Sequence, residues 1–196
     1  VFLPLYRKHR EYFYDWCEIG SLYGAPADCI WGGGRIGAQD CNAQASLALT
    51  RKYGISARLT FSNSLLREEH LSDPKCNALC RLFEESSEPQ NGVIVHSELL
   101  LSYLQRTYPG LYLVSSTTKV LTDFRDFERE LSRGAFRYVV PDFRLNKAFA
   151  QLDALSGQQK AKVEFLCNEC CWFAAGTGNN AMKRSAEKCW ARMAPN

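Results

Sequence analysis

The sequence contains no apolar run approaching the roughly 18 to 20 residues that a membrane-crossing helix needs, which excludes an obvious span. It also lacks a basic stretch leading into a short apolar one at its start, so a retained signal peptide is not expected. An excess of one charge is missing too. Against 24 Lys and Arg stand 21 Asp and Glu, and a net +3 gives no reason to expect nucleic acid as the main partner. No internal repeat or low-complexity tract interrupts the 196 residues. No Ser/His/Asp or Cys/His/Asn spacing marks a nucleophile, although such triads are made by geometry and rarely show in spacing. The chain opens on Val1 rather than Met, as a cropped or processed product would.

What is present is a globular composition, 46% hydrophobic and 23% charged, long enough for one domain or two small ones. Nine cysteines stand out, an odd count that cannot pair completely within the chain. Cys17, Cys29, Cys41, Cys76 and Cys80 sit beside apolar or helical neighbours. They read as reduced, buried thiols acting as small hydrophobes, and the expected compartment is the cytoplasm.

Apolar segments alternate with polar-faced helical ones along most of the chain. Strands are expected over 1–6, 28–31, 55–61, 93–95, 111–114, 136–140 and 163–166. Helices are expected over 7–18, from Asp40 to Tyr53 with Gly54 as its stop, and from Pro74 behind Ser72-Asp73 to about residue 85. Further helices are expected over 97–107, 123–133 with Gly134 as its stop, and 146–155. Strand–helix alternation of this kind predicts an α/β fold with a parallel sheet covered by helices. The sheet can be open and doubly wound, or closed as a TIM-type (β/α) barrel. Seven βα units leave a barrel one strand short of eight. Residues 1–173 are read as the barrel domain, and 174–196 as a polar loop with a basic C-terminal helix whose charges form a solvated face.

Three places can carry chemistry. Gly32-Gly33-Gly34-Arg35-Ile36-Gly37 fits the spacing of a dinucleotide loop. No acidic residue ends the following strand to hold a ribose, so a tight connection is the better reading, with Arg35 left as a candidate for an anionic ligand. The second place is the set of polar residues just beyond the strands: Asn63, His96, Ser115 to Thr117 with Lys119, then Asp142, Arg144 and Asn146, then Asn168 and Glu169. Gathered at one sheet edge, they would form a pocket for a small-molecule or nucleotide-like substrate. His96 taken singly reads more simply as a structural hydrogen-bonder than as a base. The third place is Cys167-Asn168-Glu169-Cys170-Cys171 with Cys189 beyond, four soft ligands sufficient for an iron–sulfur cluster or zinc, or a cysteine-rich core edge.

Several of these segments together resemble a known bacterial group. Tyr23-Gly24-Ala25-Pro26 with Gly33-Gly34-Arg35, then Gly54-Ile55 leading to Ser62-Asn63-Ser64-Leu65-Leu66, are similar to early loops and strands of the peptidase U32-like (collagenase-like) TIM-barrel proteins. Val139-Val140-Pro141-Asp142-Phe143-Arg144-Leu145-Asn146 resembles their V-x-P-x-x-R-L-N segment, and Val163 to Cys171 their strand with a cysteine exit. Ala174-Ala175-Gly176-Thr177 stands where many relatives carry Cys-Pro-x-Arg.

The resemblance implies a TIM-type barrel enzyme whose active face gathers Asn63, Asp142, Arg144, Asn146, Asn168 and Glu169; joined to the candidates read from position, Asp142, Glu169 and His96 would be the proton-handling groups. Arg35, Asn63, Lys119, Arg144, Asn146 and Asn168 would bind an anionic substrate. Cys167, Cys170, Cys171 and Cys189 would hold a [4Fe–4S] cluster for hydroxylation or related redox chemistry. Two alternatives stand beside it. One is a catalytically silent barrel acting as a binding or accessory subunit, in a homo- or hetero-oligomer. The other is a peptidase, as the family label has it.

Overall fold

The computed structural model of the chain describes residues 2–26, 29–33 and 42–167. Five strands, β1 (Ser21–Gly24), β2 (Ser56–Phe61), β3 (Gly92–Val95), β4 (Tyr112–Ser115) and β5 (Tyr138–Val139), form one parallel sheet in the order of the chain. Seven helices accompany them: α1 (Phe2–Lys8), α2 (Ala43–Tyr53), α3 (Pro74–Glu85), α4 (Glu98–Thr107), α5 (Phe124–Leu131), α6 (Phe149–Ala154) and α7 (Gly157–Lys160). Among the described residues the strand order does not reverse, so these five strands contain no switch point of the doubly wound kind.

Local chemistry sets the helix starts. Asn42, Asp73, Ser97 and Asp123 each accept a backbone N–H of the first turn of α2, α3, α4 and α5. Pro74 sits at the first helical position, where its missing N–H costs nothing. Gly54 stops α2 in the left-handed conformation, φ 67°.

One large core joins the sheet to its helices. Ala57, Leu59, Phe61, Val93, Val95, Leu113 and Val139 pack with Leu47, Phe83, Leu100, Leu104, Phe127 and Leu131. The intervening strand residues therefore face the other way. There Ile94, Tyr112, Val114 and Val140, with Tyr138 and Leu166, make a second, smaller cluster. Right-handed crossovers, the rule between sequential parallel strands, place successive helices on one face, and among the described residues no helix contributes to the second cluster.

The first two expected units are corrected. Residues 2–8 are helical rather than extended. A short apolar run does not distinguish the two states by its pattern, and Pro4 falls within the first turn, where proline is tolerated. Of the helix expected over 7–18, only α1's last turn and a 3-10 turn at Arg10–Tyr12 form. The Arg10 guanidinium donates to the carbonyls of Phe13, Tyr14 and Asp15 and folds the chain back there. The first strand is Ser21–Gly24, and residues 30–32 form a 3-10 turn instead of a strand. The strand expected over 163–166 pairs at a single parallel bridge, Val139 with Val163. Residues 168–196, including the expected basic helix, lie outside the described residues.

Candidate functional site

The strand register lines up the C-terminal ends of β2 to β5. Phe61 pairs with Val95, Val95 with Ser115, and Ser115 with Val139, all pointing into the helix-covered core or toward α5. The next residues, Ser62, His96, Ser116 and Val140, continue the ladder: His96 N–H donates to Phe61 O, Ser116 N–H to Val95 O, and Val140 N–H to Ser115 O. Alternation turns these four onto the helix-free face, with Thr60 one step below Ser62.

Within this row the His96 Nδ1 lies 2.8 Å from Thr118 Oγ1, which lies 2.9 Å from Ser116 Oγ. Ser116 also caps the short turn at Thr117–Lys119 by accepting the N–H of Thr118. Burial, and then the charge of Lys119, hold His96 below the usual imidazole range. It is therefore neutral at pH 7, with Nδ1 anchored and Nε2 without a protein partner among the described residues. The turn ends on Val120 in the left-handed region, φ 55°. A β-branched residue there costs about 1 to 2 kcal/mol, strain stored beside the row.

Thr60 and Ser62 are 5% and 3% exposed, yet neither hydroxyl has a hydrogen-bond partner among the described residues. Ser64 Oγ and Asn146 Oδ1 are also buried and unpartnered. Buried polar groups are normally satisfied, so this grouping calls for a physical reason.

The nominated residues divide into several kinds. Asn63 is fully buried and spent on the backbone: its Nδ2 donates to Ile30 O at 2.7 Å, and its Oδ1 accepts the N–H of Leu65 at 2.9 Å. Gly33 at φ 73° packs against the same corner, where a Cβ would come within 3.0 Å of backbone atoms of Asn63. Lys119 reaches two carboxylates, Glu98 at 2.8 Å and Glu130 at 2.6 Å. Asp142 caps the 3-10 turn Phe143–Lys147 through the N–H of Arg144 and pairs with its guanidinium at 3.1 Å. Asn146 Nδ2 donates to Leu166 O at 2.8 Å. Cys167 is exposed. Arg35, Asn168, Glu169, Cys170, Cys171 and Cys189 lie outside the described residues.

Sequence reasoning missed the opposite end of the same face. Arg58, 6% exposed in the middle of β2, makes two hydrogen bonds to the Glu164 carboxylate at 2.7 and 2.8 Å, and its Nε donates to Tyr112 Oη at 2.8 Å. Its guanidinium lies 5.4 and 5.0 Å from the ring centroids of Tyr112 and Tyr138. Ser56 Oγ shares a 2.6 Å hydrogen bond with Tyr112 Oη. Gly92 makes room for that ring, since a Cβ there would overlap it. A lone arginine inside an apolar strand was the available signal. Its partner, 106 positions away, was not visible.

A cavity of about 420 Å³ lies elsewhere, between β1, β2, α2 and α3. Leu22, Leu49, Leu59, Leu79 and Phe83 line it, with Arg58 and Lys75 as its charged residues. The row beyond β2 to β5 holds His96 with the Ser116 and Thr118 hydroxyls, a set of polar groups that the mostly apolar cavity lacks. Among the described residues no group of three or more His, Cys, Asp or Glu could hold a metal ion. Of the four cysteines expected to bind a cluster only Cys167 is described; Cys170, Cys171 and Cys189 lie outside the described residues. No helix among the described residues is long and apolar enough to cross a membrane. Compared with family models, curated proteins and solved structures, the chain matches none.

Proposed function

We propose that the protein is a TIM-type barrel enzyme, built on the parallel sheet described above, that binds a small polar molecule at the C-terminal end of the helix-free face. The observation that carries this reading is a neutral, half-buried His96 beside the buried hydroxyls of Thr60 and Ser62, which have no partner among the described residues. A ligand hydroxyl, amide or ring nitrogen would satisfy those groups, and His96 Nε2 would take or return a proton as general base and acid. The ligand portion seated there is uncharged, because Lys119 already faces Glu98 and Glu130, and Arg144 already faces Asp142. Any anionic or nucleotide-like tail points away from the row.

A thermal-shift screen of polyols, nucleosides and their phosphorylated forms tests this. A hit should stabilise the wild type and lose at least tenfold in affinity on His96→Gln. Equal binding by the variant would overturn the assignment.

The U32-like reading adds a [4Fe–4S] cluster on Cys167, Cys170, Cys171 and Cys189, and a cytoplasmic location. Iron and sulfide analysis after anaerobic purification tests it, and an iron-free, colourless protein ends the redox version. The binding-subunit reading draws support from the edge of the sheet. Tyr23 on β1 is 60% exposed, and Tyr12, Tyr14 and Trp16 just before it are exposed as well. Dimerisation in light scattering would favour this reading, and a monodisperse monomer would weaken it. The peptidase reading predicts cleavage of gelatin-like substrates that is abolished by His96→Gln.

A further inference from the structure

A second reactive pair lies on the other face of the sheet. Cys29 precedes the 3-10 turn Ile30–Gly32, and Cys76 sits in the first turn of α3. Their Sγ atoms are 2.8 Å apart, inside van der Waals contact, and the residues are 3% and 0% exposed. Cys80, one turn further along α3, is buried in the same core. The two sulfurs of the close pair are not equivalent. The hydrogen bond from the Cys76 thiol, helped by the backbone N–H groups of Trp31 and Gly32, draws the Cys29 thiol below its ordinary range. The reciprocal bond and burial push Cys76 up, while burial pushes Cys80 up.

We propose that Cys29 and Cys76 form a reversible disulfide when the protein meets a peroxide, making this a covalent redox site that ties α3 to the turn bracing the β2 exit. Hydrogen peroxide is neutral and little larger than water, so local opening admits it. The Cys29 thiolate attacks one peroxide oxygen, the O–O bond breaks, and the departing hydroxide takes the thiol's proton as water. Cys76 then attacks the sulfenic sulfur, the S–O bond breaks, and the Cys76 proton leaves with that oxygen as a second water. Two thiols lose two electrons in all, and the peroxide gains them. A dithiol reductant reverses the link by exchange.

The consequence reaches the row on the other face. Asn63 N–H donates to Trp31 O, and Asn63 Nδ2 donates to Ile30 O, so the turn that Cys29 precedes holds the end of β2. Fixing Cys29 to α3 closes a loop spanning 47 positions. A link of that length should raise the melting temperature by about 5 to 10 °C.

The test treats the full chain with hydrogen peroxide, unfolds it in N-ethylmaleimide and digests it without reductant. The expected product is a peptide pair joined through Cys29 and Cys76, released by dithiothreitol and retained in Cys80→Ala. Full labelling of both Cys29 and Cys76 would overturn the proposal, and so would a link made by Cys80 in place of Cys76. Hydrogen exchange on the same wild-type samples needs no variant to fold: the Asn63 amide should exchange about tenfold more slowly once linked. Equal rates in the two forms would overturn the connection with the β2 exit.

Discussion

The two ends of the helix-free face use the same kinds of residue to opposite effect. At the N-terminal end Arg58, Glu164, Tyr112 and Ser56 saturate one another, and Ser56 Oγ also donates to Gln90 O at 2.8 Å. Burial works against the charge of Arg58, but its hydrogen bonds to Glu164 and Tyr112 prevail and raise the guanidinium's pKa. At the C-terminal end Thr60 and Ser62 are as buried as Ser56, and their hydroxyls have no partner among the described residues. A saturated polar cluster fixes a sheet, whereas on the reading proposed above an unsaturated one of equal burial is where a ligand would bind.

Breaking the saturated end should give the largest effect. Glu164→Ala leaves Arg58 buried without its counter-charge and should cost about 2 to 3 kcal/mol in urea unfolding, less than a fully enclosed pair because Glu164 is partly exposed. Ser56→Ala, which leaves Tyr112 Oη short of one partner, should cost about 1 kcal/mol. The same chemistry at the other end should behave differently. Thr60→Val removes a hydroxyl with no partner among the described residues, so stability should stay level or rise by up to about 1 kcal/mol while ligand affinity falls. A loss above 1 kcal/mol would mean that Thr60 is structural after all.

Two pH responses sharpen the contrast. The Arg133 hydrogen bonds, then those of Lys119, hold Glu98 down at about 2, while Lys119, Ser115 and Arg133 lower Glu130 against the opposing effect of burial. These folded-state values lie below the unfolded one, so the network's stabilisation is present above about pH 4.5 and is lost as the pH falls toward about 2. Acid unfolding followed by circular dichroism checks this, and Lys119→Met should flatten the profile. His96 is also depressed, from 6.5, but here the proton is what the folded state resists. Its contribution should therefore fade as the pH drops below about 6.5, a smaller effect visible as a low apparent pKa in an NMR titration of its ring.

Legibility in the sequence followed how local the cause was. Asp73-Pro74, Ser97 and Asp123 each start a helix through their own side chain or ring, and the helices begin where those residues stand. Gly54 ends α2 for an equally local reason. Residues 2–24 were misread because their conformation depends on Arg10 folding back on three carbonyls and on β1 finding β2 as its partner. In the site, position after a strand correctly brought His96 and Ser116 to one edge of the sheet. It said nothing about occupancy: that Asn63 serves the backbone, or that Lys119 faces two carboxylates, depends on contacts between distant segments. Thr60 passed as an ordinary strand residue because a missing partner leaves no trace in sequence.

The central claim is that the C-terminal end of the helix-free face, and not its N-terminal end, receives a ligand. Chemical-shift mapping of the labelled protein against a panel of uncharged polyol and nucleoside fragments tests it most directly. The account predicts that the fragments which bind shift Ser62, His96, Ser116 and Thr118 together while leaving Arg58 and Tyr112 unmoved. Shifts centred on Arg58 and Tyr112, or on the apolar cavity between α2 and α3, would contradict it.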